Sequence, residues 1–235
     1  ITLYVNFTGF LINLNKCNKI DPSLFKQYQC FTSDECVLIS KKIKELRKNW
    51  IRRTPFDILY TLGKVSYMFD NTEDCLKSNI LLHNNFDWMY IKIAKNLKLI
   101  LKEPVKYIDK KRGFLPGFHI FPKSYLSRFP IASFHIDGQY NEVNWENKKL
   151  CDFMNPLTFT VCFEKPKSGA GIYMFEAKDT DNRFKAVFSN KERIEYKLGY
   201  INIHTGRNWH LISPSIINND EYRITIQDHR SSYKM

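Results

Sequence analysis

His135 and Asp137 stand two apart in Phe134-His135-Ile136-Asp137-Gly138. On a strand, residues i and i+2 point to the same face. An imidazole and a carboxylate so placed can grip one metal ion from one side. A second histidine from elsewhere in the chain would complete a two-His, one-carboxylate face. Three positions on the ion then stay open, which suits an iron(II) centre that must also take up other ligands. Taken alone, a His-x-Asp triplet in a chain with six histidines also fits a surface turn with Asp137-Gly138 as its corner. Context favours the metal reading, because the triplet ends a β-rich run and Gly138 lets the chain turn away.

The second imidazole can come from His83, His119, His204, His210 or His229. His210 is preferred, with His204 as its main rival. His210 opens an apolar run, Asn218-Asn219-Asp220 supplies a turn, and the chain returns through Tyr222-Arg223-Ile224-Thr225-Ile226-Gln227. On that returning strand Arg223, Thr225 and Gln227 share one face and the apolar residues share the other. If the polar face points into a barrel, the Arg223 guanidinium needs a partner, since a buried unpaired charge is costly. A carboxylate held by two parallel bonds would meet that need, with the Thr225 hydroxyl adding a third contact. The alternative is that this face meets solvent.

Turn signals are frequent from Pro116 onward, at Pro122, Pro130, Asn155-Pro156, Ser168-Gly169, Gly199, Gly206 and Pro214. Between them lie eight runs with strand character, over 118–121, 131–136, 157–163, 171–175, 193–197, 200–204, 211–217 and 222–227. Short strands at this pitch predict a sandwich or barrel. The first hundred residues read differently. Thr32 and Glu35 are spaced as a capping box, and Cys36, Ile39, Ile43, Leu46 and Trp50 follow as one helical stripe. A strand is expected over 56–62. One or two helices follow over 73–102, with Phe86, Tyr90, Ile93, Leu97 and Ile100 facing inward, until Pro104 ends the run. The apolar opening over 1–14 reads as a strand, because it is interrupted by Asn6, Thr8 and Asn13 and lacks a basic front. The fold class is therefore α+β, mainly β, with helices packed on one side of a barrel.

Hydrophobic residues make up 43% of the 235-residue chain, with 18 Phe and 13 Tyr, enough for a sizeable core and against disorder. No apolar run reaches the ~18 residues of a membrane span. The six cysteines form no C-x-x-C pair, which argues against a zinc ribbon and for reduced thiols in a soluble, intracellular (cytoplasmic or nuclear) protein. The net charge of +12 is concentrated in the N-terminal half, with Lys41, Lys42, Lys44, Arg47 and Lys48 on the outer face of the first helix. Such a face is either solvated or a docking surface for nucleic acid.

The pattern of His135-x-Asp137, a distant His210, and Arg223-x-Thr225 shortly after it resembles the Fe(II)/2-oxoglutarate-dependent dioxygenases. Pro116-Gly117-Phe118-His119-Ile120-Phe121 and the run from Gly199 to Gly206 are similar to the lead-in strands of that family's hydroxylases. The resemblance covers roughly 104–230. It implies a double-stranded β-helix (jelly-roll) core over 104–235, a mainly helical N-terminal support over 1–103, and one catalytic domain over 1–235. It further implies Fe(II) on His135, Asp137 and His210, and 2-oxoglutarate held at its far carboxylate by Arg223 and Thr225. O2 would be consumed and succinate and CO2 released, with hydroxylation of a small molecule or an amino-acid or protein side chain. Asp137 speaks against halogenation, since the family's halogenases carry a small residue there. A nucleic-acid dealkylase or hydroxylase of the same family is the alternative, but that branch has a second arginine on the last strand and this chain has Gln227-Asp228-His229. A basic binding module without catalysis is the reading from another class. Tyr140 and Trp145 could line the substrate pocket, Tyr173 could bond to the cosubstrate or sit in the core, and Arg207 could reach a substrate carboxylate or lie in a solvated loop. His119 is expected to be structural, and His229 and Arg230 are expected at the surface or rim.

Overall fold

The computed structural model describes residues 3–5, 11–13, 19–53, 58–64, 72–102, 105, 115–129, 134–138 and 151–233. Strands β1 (Leu3–Val5) and β2 (Leu11–Asn13) pair antiparallel, and β3 (Phe25–Gln29) follows. Helix α1 (Ser33–Glu45) begins as its sequence dictates. The Thr32 hydroxyl accepts from the Glu35 N–H, and the Glu35 carboxylate accepts from the Thr32 N–H, so two of the helix's orphan donors are satisfied reciprocally. Next come β4 (Trp50–Arg52), β5 (Tyr60–Leu62) and α2 (Thr72–Leu101), the last interrupted at Phe86, where φ is −136°. Of the strand expected over 56–62, β5 forms the end, and 56–57 lie outside the described residues.

The remaining strands are β6 (Phe118–Phe121), β7 (Cys151–Glu164), β8 (Gly171–Lys178), β9 (Lys191–Glu195), β10 (Tyr200–Thr205), β11 (Asn208–Ile212) and β12 (Arg223–Tyr233), with helix α3 (Arg183–Phe188) between β8 and β9. They form two antiparallel sheets. One has seven strands in the order β3-β10-β7-β12-β6-β5-β4, and the other has three in the order β11-β8-β9. The short segment carrying His135 joins the free edge of β11 through a single bridge between His135 and His210. Apart from the β4–β5, β5–β6 and β8–β9 pairs, strands that neighbour one another in these two sheets are not consecutive in the chain, as in a jelly roll. The N-terminal hundred residues also lend three strands, β3, β4 and β5, to the larger sheet.

Period-2 alternation gives the seven-stranded sheet two unlike faces. Phe118, Ile120, Phe159, Val161, Phe163, Ile201, Ile203, Ile224 and Ile226 form one core with Ile39 and Ile43 of α1 and with Leu82, Phe86, Met89, Tyr90, Ile93 and Leu97 of α2. The stripes read from the two helices are this contact. On the other face, Cys162 packs with Ile172, Met174 and Tyr196 of the smaller sheet and its neighbour. Glu164 at the end of β7 fastens α1, bonding to Ser40 and to Lys44. The Lys44 ammonium also lies 4.7 Å from the Tyr222 ring centroid, and Lys42 pairs with Glu45, so part of the basic face of α1 is spent within the molecule. At Gly199 a φ of +75° turns the chain into β10 while its carbonyl accepts from the N–H groups of Cys30 and Phe31, a conformation that favours glycine.

Among the described residues no helix is long and apolar enough to cross a membrane. Cys30, Cys36 and Cys162 are buried free thiols, and burial pushes Cys30 and Cys162 up to about 12, so they stay protonated and pack as small hydrophobes.

Candidate metal centre

Two chain segments meet at His135, Asp137 and His210, whose ligand atoms all lie within 4.8 Å of one another. The bridge between His135 and His210 exchanges both backbone hydrogen bonds, at 3.0 and 2.9 Å. Directly paired residues put their side chains on the same face, and the two imidazole centroids are 4.4 Å apart. Asp137, two residues on, has its N–H bonded to the Gly206 carbonyl at 2.9 Å. Gly206 is glycine for a steric reason: a Cβ there would stand 3.1 Å from the Asp137 Cβ and 3.3 Å from the Thr158 Oγ1.

Asp137 is buried, with its side chain 0% exposed. The Thr158 hydroxyl of β7 donates to its Oδ2 at 2.6 Å. Its Oδ1 faces the two imidazoles, 3.7 Å from His135 Nε2 and 3.5 Å from His210 Nε2. These gaps exceed a hydrogen bond. Donor atoms bound to one ion at about 2.1 Å lie about 3 Å apart at right angles, so a small closure of the three side chains would seat a divalent cation between them. His210 is prepared for that role. Its Nδ1 lies 2.9 Å from the Asn208 carbonyl, which can only accept, so Nδ1 carries the proton and the Nε2 lone pair faces Asp137. Burial opposes a charge on His210, but the Asp137 carboxylate and the Asn208 carbonyl outweigh it and hold its pKa above the ordinary value. The cluster therefore attracts positive charge.

His204 is buried beside this cluster. Its ring is 5.0 Å from that of His210, edge-on, and stacks on Phe25 at 6.2 Å. Its Nδ1 lies against the Thr205 carbonyl. It forms a wall for His210, and the three-residue cluster does not include it.

Arg223 is 3% exposed and lies between the two sheets. One Nη donates to the Ser213 carbonyl at 3.1 Å and the other to the Gly171 carbonyl at 3.0 Å. The rings of Phe121 and Tyr196 lie 5.4 Å from it on either side. Its Nε–H has no acceptor among the described residues. The polar face of β12 thus points inward, and Ile224 and Ile226 point to the helices. Thr225 is likewise buried and sits opposite His119 and Cys162. Ser213, whose carbonyl accepts from the guanidinium, lies three residues beyond His210.

Sequence reasoning missed Tyr196. It is buried, its phenol bonds to the Thr160 side chain, and it interacts with both Asp137 and Arg223. Burial pushes it up to about 12, against the pull of Arg223, so it stays neutral. It lies just beyond β9, and no spacing pattern marks it. Other assignments are settled by the structure. Tyr173 packs with Phe134, Phe175 and Leu211 on the far face of β8, so it is a core residue. Arg207 forms a two-bond pair with Asp179, at 2.8 and 2.9 Å. His83 pairs with Asp87 on α2. Tyr140, Trp145 and the side chains of His229 and Arg230 lie outside the described residues.

No protein-family model matches the sequence, and no curated protein matches it. Solved structures do share its fold. The non-haem alpha-ketoglutarate-dependent epimerase SnoN from nogalamycin biosynthesis superposes with a TM-score of 0.56 at 10% identity, covering 91% of this chain and 82% of that one. AviO1 from Streptomyces viridochromogenes Tue57 gives 0.53 at 13% identity, covering 89% and 90%. EvdO2 from Micromonospora carbonacea var. aurantiaca, solved with 2-oxoglutarate, gives 0.50 at 10% identity, covering 93% and 94%. The chain has the jelly-roll fold of the non-haem iron, 2-oxoglutarate-dependent enzymes.

Proposed function

We propose that the protein is an Fe(II)- and 2-oxoglutarate-dependent oxygenase, with His135, Asp137 and His210 as the metal ligands and Arg223 and Thr225 holding the far carboxylate of the cosubstrate. The observation that carries the reading is the meeting, between the same two sheets, of a His-Asp-His cluster and a buried guanidinium with an N–H left to give. Either feature alone has bland explanations. Together they match the two ends of a chelating diacid, and the fold is shared with SnoN and with EvdO2, which was solved holding 2-oxoglutarate.

Each residue has a definite task in this reading. Thr158 and the Gly206 carbonyl fix Asp137 so that Oδ1 faces the ion. The Asn208 carbonyl keeps the proton on His210 Nδ1 and frees Nε2. Arg223, with Thr225 and the neutral phenol of Tyr196, holds the far carboxylate in a dry setting where a charge-assisted pair is strong. Bound iron would supply the redox chemistry that couples O2 and loss of CO2 from 2-oxoglutarate to oxidation of a substrate C–H bond. Hydroxylation, with release of succinate and CO2, is the outcome we favour, because Asp137 fills the position that halogenases leave small. The fold itself hosts other outcomes, SnoN being an epimerase, so the reaction belongs to the site and not to the fold. The substrate proposed is a small molecule or an amino-acid or protein side chain.

The test is succinate formation from 2-oxoglutarate by the anaerobically purified protein given Fe(II) and then air. Slow turnover is expected even without a primary substrate. It should vanish in Asp137→Ala and with Fe(II) withheld. Absence of any Fe(II)-dependent succinate in the parent protein, or its survival in Asp137→Ala, rejects the assignment.

A further inference from the structure

Among the described residues, the segment bearing His135 and Asp137 is tied to neighbouring backbone by the His135–His210 pair and by the bond from the Asp137 N–H to Gly206. Both backbone groups of His135 point at β11. In an antiparallel pair the groups of the preceding residue point the other way, so the Phe134 carbonyl faces away from β11. That carbonyl is met by Arg183, whose Nη2 donates to it at 3.0 Å. The guanidinium carbon also stands 5.9 Å from the centroid of the Phe134 ring.

Arg183 is itself well placed to hold still. It is the first residue of α3, which Asn182 caps by accepting from the Lys185 N–H at 2.8 Å. Ala186 and Val187 of the same short helix are buried in the cluster that contains Phe134, Phe175 and Leu211. Phe134 stacks on Trp209, the neighbour of His210, at 4.7 Å and 24°. Both imidazoles therefore project from one face of a two-strand edge whose opposite face is a single aromatic stack. Arg183 meets the Phe134 carbonyl on the side away from β11.

We infer that Arg183 is a positioning residue for the metal centre, fixing the Phe134–His135 peptide so that the His135 ring meets the ion. His135 is the most exposed of the three ligands, its side chain 30% exposed against 0% and 3%, so packing constrains it least and its backbone anchor matters most. This rests on the reading of His135, Asp137 and His210 as metal ligands.

The experiment is titration of the metal-free protein with Co(II), followed by visible absorption, alongside thermal melting without metal. Arg183→Met keeps the stem and removes the donor. It should bind Co(II) about tenfold or more weakly, the range found when an outer partner of a ligand is lost, with an altered ligand-field spectrum. Arg183→Lys restores a donor and the charge but not the flat contact with Phe134, and should recover most of the affinity. Parent-like affinity and spectrum in Arg183→Met would remove the role of Arg183 and leave the metal centre standing. Failure of the parent protein to bind Co(II) would remove both. Should Arg183→Met not fold, Arg183→Lys decides: a few-fold weaker binding with a shifted spectrum supports the role, and parent-like values overturn it.

Discussion

The two faces of the seven-stranded sheet are made by alternate residues of the same strands and have opposite characters. Along β7, Phe159 and Val161 meet α1 and α2, and Thr158 and Thr160 meet Asp137 and Tyr196 on the other side. Along β12, Ile224 and Ile226 join the helix-side core, and Arg223 and Thr225 turn inward. Apolar burial on one face, at about 25 cal/mol per Å², supplies stability, which lets the other face bury groups that cost free energy unless something binds them. A side chain on the helix face should matter for melting and hardly for cosubstrate, and one on the inward face should matter first for metal or cosubstrate.

The largest effects test the inward face. Asp137→Ala or His210→Ala should abolish Fe(II)-dependent succinate formation and leave the circular dichroism melt of the metal-free protein near that of the parent. His204→Ala should weaken Fe(II) binding by less than tenfold, because His204 only walls His210. Greater metal loss in His204→Ala than in His210→Ala would exchange their roles. Arg223→Met should raise the 2-oxoglutarate concentration needed for half-maximal turnover by tenfold or more, roughly 1.4 kcal/mol, with Fe(II) affinity changed far less. It also takes away the donor that the Ser213 carbonyl accepts from, at a cost of about 1–3 kcal/mol, while the Gly171 carbonyl keeps its bond from the Ser213 N–H. An unchanged 2-oxoglutarate requirement would take Arg223 out of the site.

Much of this arrangement was legible in the residues. The capping box at Thr32 and Glu35, the helical stripes of α1 and α2, and the two faces of β12 follow from spacing alone, because each is a local periodic signal tied to one buried face. The meeting of His135, Asp137 and His210 was legible only as a resemblance, since nothing local says which of several histidines crosses the barrel. Strand limits were less well read. The strand expected over 211–217 is β11, Asn208–Ile212. His210 lies in its middle, and Pro214, which lacks an N–H, sits beyond its end. The run expected over 131–136 contributes, among the described residues, one bridge at His135. Strand β3 and helix α3 left no mark: β3 is a half-exposed edge strand without alternation, and α3 is a single capped turn and a half. Tyr196 and Arg183 make their contacts with residues distant in the chain, which no pattern in one sequence reports.

A paired substitution on β12 cuts between the faces directly. Ile226→Ala removes a fully buried side chain from the helix-side core and should cost roughly 2–5 kcal/mol by denaturant titration, with the 2-oxoglutarate requirement within twofold of the parent. Thr225→Ala, one residue away, should cost about 1 kcal/mol or less and raise that requirement severalfold. If both changes moved the same quantity, the separation of the faces would be wrong.

The smallest effects belong to the N-terminus of α1, on the apolar side and far from chemistry. Thr32→Ala should lower stability by about 1 kcal/mol through loss of the cap, with metal and cosubstrate affinity untouched. Glu35 adds a pH signature. Its bond from the Lys92 ammonium at 2.5 Å, and then its bond from the Thr32 N–H, hold its carboxyl below the ordinary value of 4.5. A carboxyl whose pKa is lower folded than unfolded binds its proton more readily in the unfolded chain. Its contribution is therefore whole above about pH 4.5 and fades as the pH falls through the lowered value. The melting temperature of Glu35→Gln should lie below that of the parent at pH 7, and the gap should narrow as the pH is taken under 4. A gap that held constant down to pH 3 would mean that the ion pair with Lys92 contributes nothing to stability.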